Sequence, residues 1–251
     1  MNATMSKSFP SSSARVKPAE PGEHYRVIAL LAVDGFAVLL LVIAWLTGSS
    51  LSPLTWYLVR SSGLSLYLLL WLSTVFGLGI TTGTFDRFPG RPTVLMLHRF
   101  STELAYSALA LHLFGLVLDS YVRYSVTDLL VPFWADGGNL WTALGVIAAW
   151  STILIGVSFS LRNLIGQRTW RLLHFGSFPL YLLALFHGLG SGTDSGTDAV
   201  FIGYLFTLGV VFFLTTYRIL RGKERGSSRR APRTEAHYAR QPVTSNARSR
   251  N

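Results

Sequence analysis

Cysteine is missing from all 251 residues, which excludes disulfides, thiolate-held iron–sulfur centres and cysteine nucleophiles together. Charge is also scarce, with only 14% of residues charged against 50% hydrophobic. A water-soluble domain carries about 25% charged residues, so this composition fits a polytopic membrane protein of one bundle. Acidic residues number 12 against 22 basic ones, a net charge of +10. That excess does not point to nucleic acid, because the Lys and Arg residues sit in tails and short loops beside apolar runs, a topology signal. No Gly-rich dinucleotide fingerprint and no tandem repeat is found, and without cysteine any redox chemistry here would need a bound cofactor.

Six apolar runs are long enough to cross a bilayer core of about 30 Å. They cover about 26–47, 56–79, 94–118, 141–160, 170–189 and 199–219. The predicted fold is an all-α membrane protein, a six-transmembrane-helix bundle over 26–220 with a disordered cytoplasmic tail at 1–25 and a disordered basic cytoplasmic tail at 221–251. With the N-terminus inside, every Lys and Arg except Arg60 and Arg123 falls on one side, while Asp119, Asp128, Asp136, Asp194 and Asp198 fall on the other. The positive-inside rule therefore places both termini in the cytoplasm, at the plasma membrane. The basic C-terminal stretch is suited to anionic lipid. Trp56, Trp134 and Trp141 are expected in the outer aromatic belt and Trp170 in the inner one.

Four histidines lie outside the polar tails, and all four fall inside apolar runs: His98 and His112 in the third, His174 and His187 in the fifth. Fourteen helical residues rise about 21 Å and thirteen about 20 Å, so each run carries one histidine near either membrane face. Neutral imidazole ligates metals, and haem iron takes histidine axially. Two facing helices with histidines at matched depths can hold two stacked bis-His b-type haems. The plainer alternative is polar glue between helices; ionisable residues in spans are rare and usually functional. The step from His98 to His112 keeps both rings on nearly one face, whereas that from His174 to His187 misses by about 140° on an ideal helix. Pro179, between the second pair, is positioned to kink that helix.

Other polar residues fall within the spans. Arg99 and Glu103, four apart, can pair on one helix face, and Asp34 needs a partner, for which Arg99 is the candidate. Arg60 lies at the depth of His112 and His187. It either binds a haem propionate, as a guanidinium binds carboxylates, or reaches to the outer headgroups. Arg99 and Arg171, with Arg162 and Arg168, can serve an inner propionate or act as interface anchors. Gly63, Gly77, Gly79, Gly145, Gly156 and Gly176 would let helices or a flat macrocycle approach closely.

The His-x13-His and His-x12-His pairs, with the run Leu161-Arg162-Asn163-Leu164-Ile165-Gly166-Gln167-Arg168-Thr169-Trp170-Arg171-Leu172-Leu173-His174, resemble the ferric reductase-like transmembrane domain superfamily over about 56–198. That superfamily includes ferric reductases, NADPH oxidase membrane domains and the haem-binding membrane subunit of the bacterial methionine sulfoxide reductase system. The resemblance implies two haem b groups, the inner held by His98 and His174 and the outer by His112 and His187. It also implies electron transfer from a cytoplasmic flavoprotein to an acceptor outside. Ferric reductases and NADPH oxidases usually carry a fused FAD and NADPH module after the sixth span, where this chain has a basic tail. The layout is more similar to the stand-alone methionine sulfoxide reductase subunit, the membrane part of an oxidoreductase served by a separate cytoplasmic flavin reductase carrying FMN or FAD. The expected acceptor is an extracytoplasmic protein or a ferric chelate. The competing class is a non-redox transporter or scaffold whose histidines relay protons or pack helices.

Overall fold

Helix length follows the apolar runs closely. The computed structural model describes residues 52–230, preceded by positions 28, 32, 34–39, 42, 43, 46 and 47. Its elements are α1 (Ser52–Thr82), α2 (Arg91–Leu118), a short α3 (Val126–Leu130), a 3-10 turn (Ala135–Gly137), α4 (Leu140–Ser160), α5 (Arg162–Phe175), α6 (Ser177–Ser191) and α7 (Asp198–Arg230). Among the described residues there is no strand. Five helical stretches are long and apolar enough to cross a membrane: Pro53–Thr82, Arg91–Leu118, Leu140–Ser160, Arg162–Ser191 and Asp198–Arg221. They coincide with the second to sixth expected spans. In the expected first span, described positions 28 to 46 are helical and Thr47 is a turn; the rest of that span lies outside the described residues, as do the expected tail at 1–25 and the part of the expected 221–251 tail beyond 230. The last helix runs to Arg230 rather than ending near 220; Arg, Lys and Glu beyond the span are good helix formers.

Large apolar side chains cover the outside of the bundle. Phe201, Ile202, Phe206, Phe212 and Phe213 on α7 are all exposed, a density that suits a helix lying against lipid. The chain is a multi-pass helical membrane protein. Inside, Tyr67, Leu78, Tyr181, Leu185, Tyr204, Val211 and Leu214 form a core shared by α1, α6 and α7. At its centre the Tyr67 hydroxyl lies 2.5 Å from Thr207 Oγ1 and 3.3 Å from the Tyr181 hydroxyl. Such bonding is what a polar group in hydrocarbon requires.

Two antiparallel pairs dominate the packing, α1 against α2 and α4 against α6. Gly115 of α2 sets the closeness of the first: a Cβ there would meet Val59 Cγ2 at 2.8 Å. At one end of that pair Asp119, buried just past α2, accepts from Thr55 Oγ1 at 2.9 Å and from the N–H groups of Tyr121 and Val122. Among the described helices, only α1 packs extensively along α2. The backbones of α2 and the α5–α6 segment accordingly do not pack closely, and the His98 and His174 rings meet between them.

The fifth span is broken twice. Gly166 has φ 81° and ψ 153°, a left-handed-side conformation open to glycine alone at low cost. At Gly176 the helix tightens, its N–H donating to the Leu173 carbonyl at 2.9 Å, and a new helix starts at Ser177. Pro179 supplies the cause: it has no N–H to offer the Phe175 carbonyl, and its ring crowds that turn. The break falls three residues before the proline, and it re-phases His187 relative to His174.

Candidate functional site

Three histidine rings are held in one repeated way. The Nδ1 atom of His112 lies 3.0 Å from the Val59 carbonyl oxygen, that of His98 2.8 Å from Ser73 O, and that of His187 2.8 Å from Trp141 O. In each case the residue four positions further along the neighbouring helix is a glycine: Gly63, Gly77 and Gly145. A helical carbonyl already accepts from the N–H four residues on, and its second lone pair faces outward only where the side chain of that later residue does not cover it. Glycine removes the cover, and the imidazole lies in the space. A Cβ at Gly145 would meet His187 Cε1 at 2.5 Å, one at Gly63 would meet His112 Cε1 at 2.9 Å, and one at Gly77 would meet His98 Cε1 at 3.6 Å.

The chemical consequence concerns the other nitrogen. A carbonyl only accepts, so Nδ1 carries the proton in each anchored ring, and in the neutral imidazole Nε2 then presents a lone pair. An N–H donated to a backbone carbonyl is the arrangement that fixes tautomer and orientation in metal-bound histidines. His98 has a further partner: Ser73 Oγ lies 3.1 Å from Nδ1 and 2.9 Å from Thr102 Oγ1.

At one level two rings meet. His98 and His174 have centroids 6.2 Å apart with planes at 84°. A metal bonded to two imidazoles at about 2 Å per nitrogen, with ring centres roughly 1 Å further back, sets the rings about 6 Å apart, and rotation about each bond leaves the interplanar angle free. His112 and His187 are near enough to interact electrostatically. Between the two levels Tyr106 reaches from α2 to α4, its hydroxyl 3.4 Å from Thr152 O and against Gly156. His98 and His174 are thus spaced as two imidazoles on one metal would be, and His112 with His187 makes a second pair at the other level. Among the described residues no group of three or more His, Cys, Asp or Glu side chains gathers to hold a bare metal ion. Each level offers two imidazole nitrogens, so a metal held there would need the rest of its coordination from a bound ligand.

The charged candidates behave differently from the histidines. The Arg60 Nε donates to Asp194 Oδ2 at 2.8 Å, the two side chains form an ion pair, and the guanidinium lies 3.9 Å over the Trp56 ring. Arg60 is therefore engaged by the connection between α6 and α7, and a propionate would have to compete with Asp194 for it. Arg99 and Arg171 are exposed at the His98 end, Arg171 Nε donating to Gln167 O at 3.3 Å. Asp34 does not take Arg99 as the partner shown for it. Ser107 Oγ donates to Asp34 Oδ1 at 2.5 Å, because Asp34 meets α2 two turns deeper than Arg99. Of the glycines expected to admit close approach, Gly63, Gly77 and Gly145 lie at the histidines, Gly79 faces the Phe85 ring, Gly156 faces Tyr106, and Gly176 marks the helix break.

Sequence reasoning missed the three carbonyl anchors. A signal for two of them was present: Gly63 and Gly77 are fourteen apart, as are His98 and His112, which is the pattern of an antiparallel pair in register. Trp170, expected only as an interface anchor, stacks on His174 with centroids 5.1 Å apart. No family model, no curated protein and no solved structure matches the chain.

Proposed function

We propose that this protein carries electrons across a bacterial plasma membrane through two bis-His haem b groups, one held by His98 and His174 and the other by His112 and His187. The observation that carries the reading is the Nδ1-to-carbonyl bond over a glycine, repeated at His98, His112 and His187. Histidines that only pack helices have no requirement to present Nε2 in the same way three times. When bound, haem supplies a one-electron iron couple. The chain's own residues then fix the imidazoles, exclude water with exposed apolar faces turned to lipid, and hold the two levels about 21 Å apart along α2. Arg99 and Arg171, exposed beside the His98 level, are suited to carboxylates there.

With both termini cytoplasmic, the basic residues put His98 and His174 on the inner side. Electrons then enter at that level from a separate flavin reductase carrying FMN or FAD, and leave at His112 and His187 to an extracytoplasmic acceptor. A methionine sulfoxide reductase-like protein is favoured over a ferric chelate, since the acidic outer residues repel anionic chelates at low salt.

Purification from haem-replete cells tests the reading. A Soret band with low-spin bis-His spectra is expected, and a colourless protein would sink it. His98→Ala and His174→Ala should remove one haem, and His112→Ala and His187→Ala the other. Reduction by NADH or NADPH should occur only with an added flavin reductase. The same hydrogen bonds favour a second reading, in which the histidines bind helices together, because they join α1 to α2 and α4 to α6. That reading expects the colourless protein, and loss of stability on each substitution.

A further inference from the structure

The four histidines are not equivalent, and the exception is His174. Among the described residues no hydrogen bond reaches its ring, whereas the other three are each tied to a carbonyl. Its contacts are aromatic: Trp170 stacks on it at 5.1 Å and 25°, and His98 stands perpendicular to it. The absence has a cause in the register. Gly145 serves His187, and thirteen residues along α4, the step that separates His187 from His174, stands Ser158, not a glycine. Ser158 is buried and its hydroxyl donates to Ile155 O at 2.6 Å. The backbone carrying His174 is also the least continuous in the bundle, interrupted at Gly166 before it and at Gly176 after it.

We propose that the His98–His174 level is an exchangeable binding site: His98 is its fixed ligand, His174 leaves, and a small neutral diatomic molecule takes the vacated position on the iron. The His112–His187 level, anchored on both sides, stays closed. The inference rests on the haem reading and adds to it a difference between the two levels. Loss of the partner on a ligand's second nitrogen weakens metal binding by about 10–100-fold, while Ser73 and Thr102 hold His98 in place. One bond at this level is therefore the weak one, and the stack on Trp170 is what keeps its ring near.

The full-length protein, purified with its haem and reduced with dithionite, is titrated with carbon monoxide and followed by its visible spectrum. Half of the low-spin absorbance should convert and half should stay. No conversion in saturated solution, or conversion of all of it, overturns the proposal. A protein with no Soret band overturns the haem reading instead, and this inference with it, so the two failures are told apart by the first spectrum. Assignment comes from substitution. In His187→Ala all of the haem present should react, whether or not the variant keeps its second group; if half reacts, or none, the exchangeable ligand is not His174. Trp170→Ala should raise the apparent carbon monoxide affinity of the reactive half, and an unchanged affinity would remove the stack from the explanation.

Discussion

Alanine at each of the three histidine-bearing glycines separates geometry from general tolerance. At Gly145 the new Cβ would lie 2.5 Å from His187 Cε1 and 2.6 Å from Nδ1. Ordinary contact is about 3.5 Å, so the ring must retreat by about 1 Å. That takes Nδ1 from 2.8 Å to beyond hydrogen-bonding reach of the Trp141 carbonyl. Crowding costs about 1–3 kcal/mol and the lost bond about 1 kcal/mol. Better helix propensity returns up to about 1 kcal/mol, leaving a net loss of about 1–3 kcal/mol. Gly63→Ala, with its nearest contact at 2.9 Å, calls for half that retreat and should cost about 1 kcal/mol. At Gly77 the contact is already ordinary at 3.6 Å, so Gly77→Ala should be neutral or stabilising by up to about 1 kcal/mol. Unfolding in detergent micelles followed by circular dichroism gives the order. If the proposed haems are bound, Gly145→Ala should also perturb one of the two low-spin signals and Gly77→Ala neither. Equal destabilisation at Gly77 and Gly145 would refute the argument, because only backbone freedom, and not the ring cradle, would then set the cost.

Tyr67→Phe removes the bonds to Thr207 and Tyr181 from the core; a loss of about 1 kcal/mol is expected in the same unfolding assay, and no loss would mean the hydroxyl is unimportant to the packing. Asp194→Asn should cost less than about 1 kcal/mol, since the pair is partly exposed and Trp56 still receives the guanidinium, whereas Arg60→Ala loses both contacts and should cost more; the reverse order would reject the ion pair as the weaker link. The Asp128 carboxyl is held below the usual carboxylate range by the hydroxyl and then the N–H of Ser125. A group with a lowered folded-state pKa stabilises above its unfolded pKa and stops doing so as the pH falls through the folded value. Amide exchange at Ser125 should therefore be slow at neutral pH and gain an acid-induced opening, which Asp128→Asn abolishes.

Five spans could be read directly from apolar length, since a lipid surround leaves few other options for runs such as 56–79 or 199–219. The two histidine pairs were legible for a related reason: an imidazole in hydrocarbon stands out against its neighbours. Carbonyl anchors were not, because the partner atom belongs to the backbone and every residue has one; only the matching fourteen-residue step from Gly63 to Gly77 marks the register. Pro179 announced a break, but the tightened turn sits at Gly176, three residues earlier. The partner of Asp34 could not be read, since depth along a tilted neighbour, and not charge, brings Ser107 to it. Nor did Arg60 betray that its counter-charge lies 134 residues away in the α6–α7 connection.

The α1–α2 pair has a consequence for how the molecule is assembled. Both of its ring anchors, His112 on Val59 and His98 on Ser73, close within one hairpin, and chains are made and fold from the N-terminal side first. That hairpin can leave the insertion machinery with two imidazoles already aimed outward from one wall, before α4 exists. The opposite wall follows as a second hairpin-like pair, in which His187 is set by Trp141 of α4 and His174 arrives on the segment between the breaks at Gly166 and Gly176. Biogenesis thus has a natural waypoint at Leu118, a half-template with one imidazole at each level, and a group held by both walls could be captured only after synthesis has passed His187.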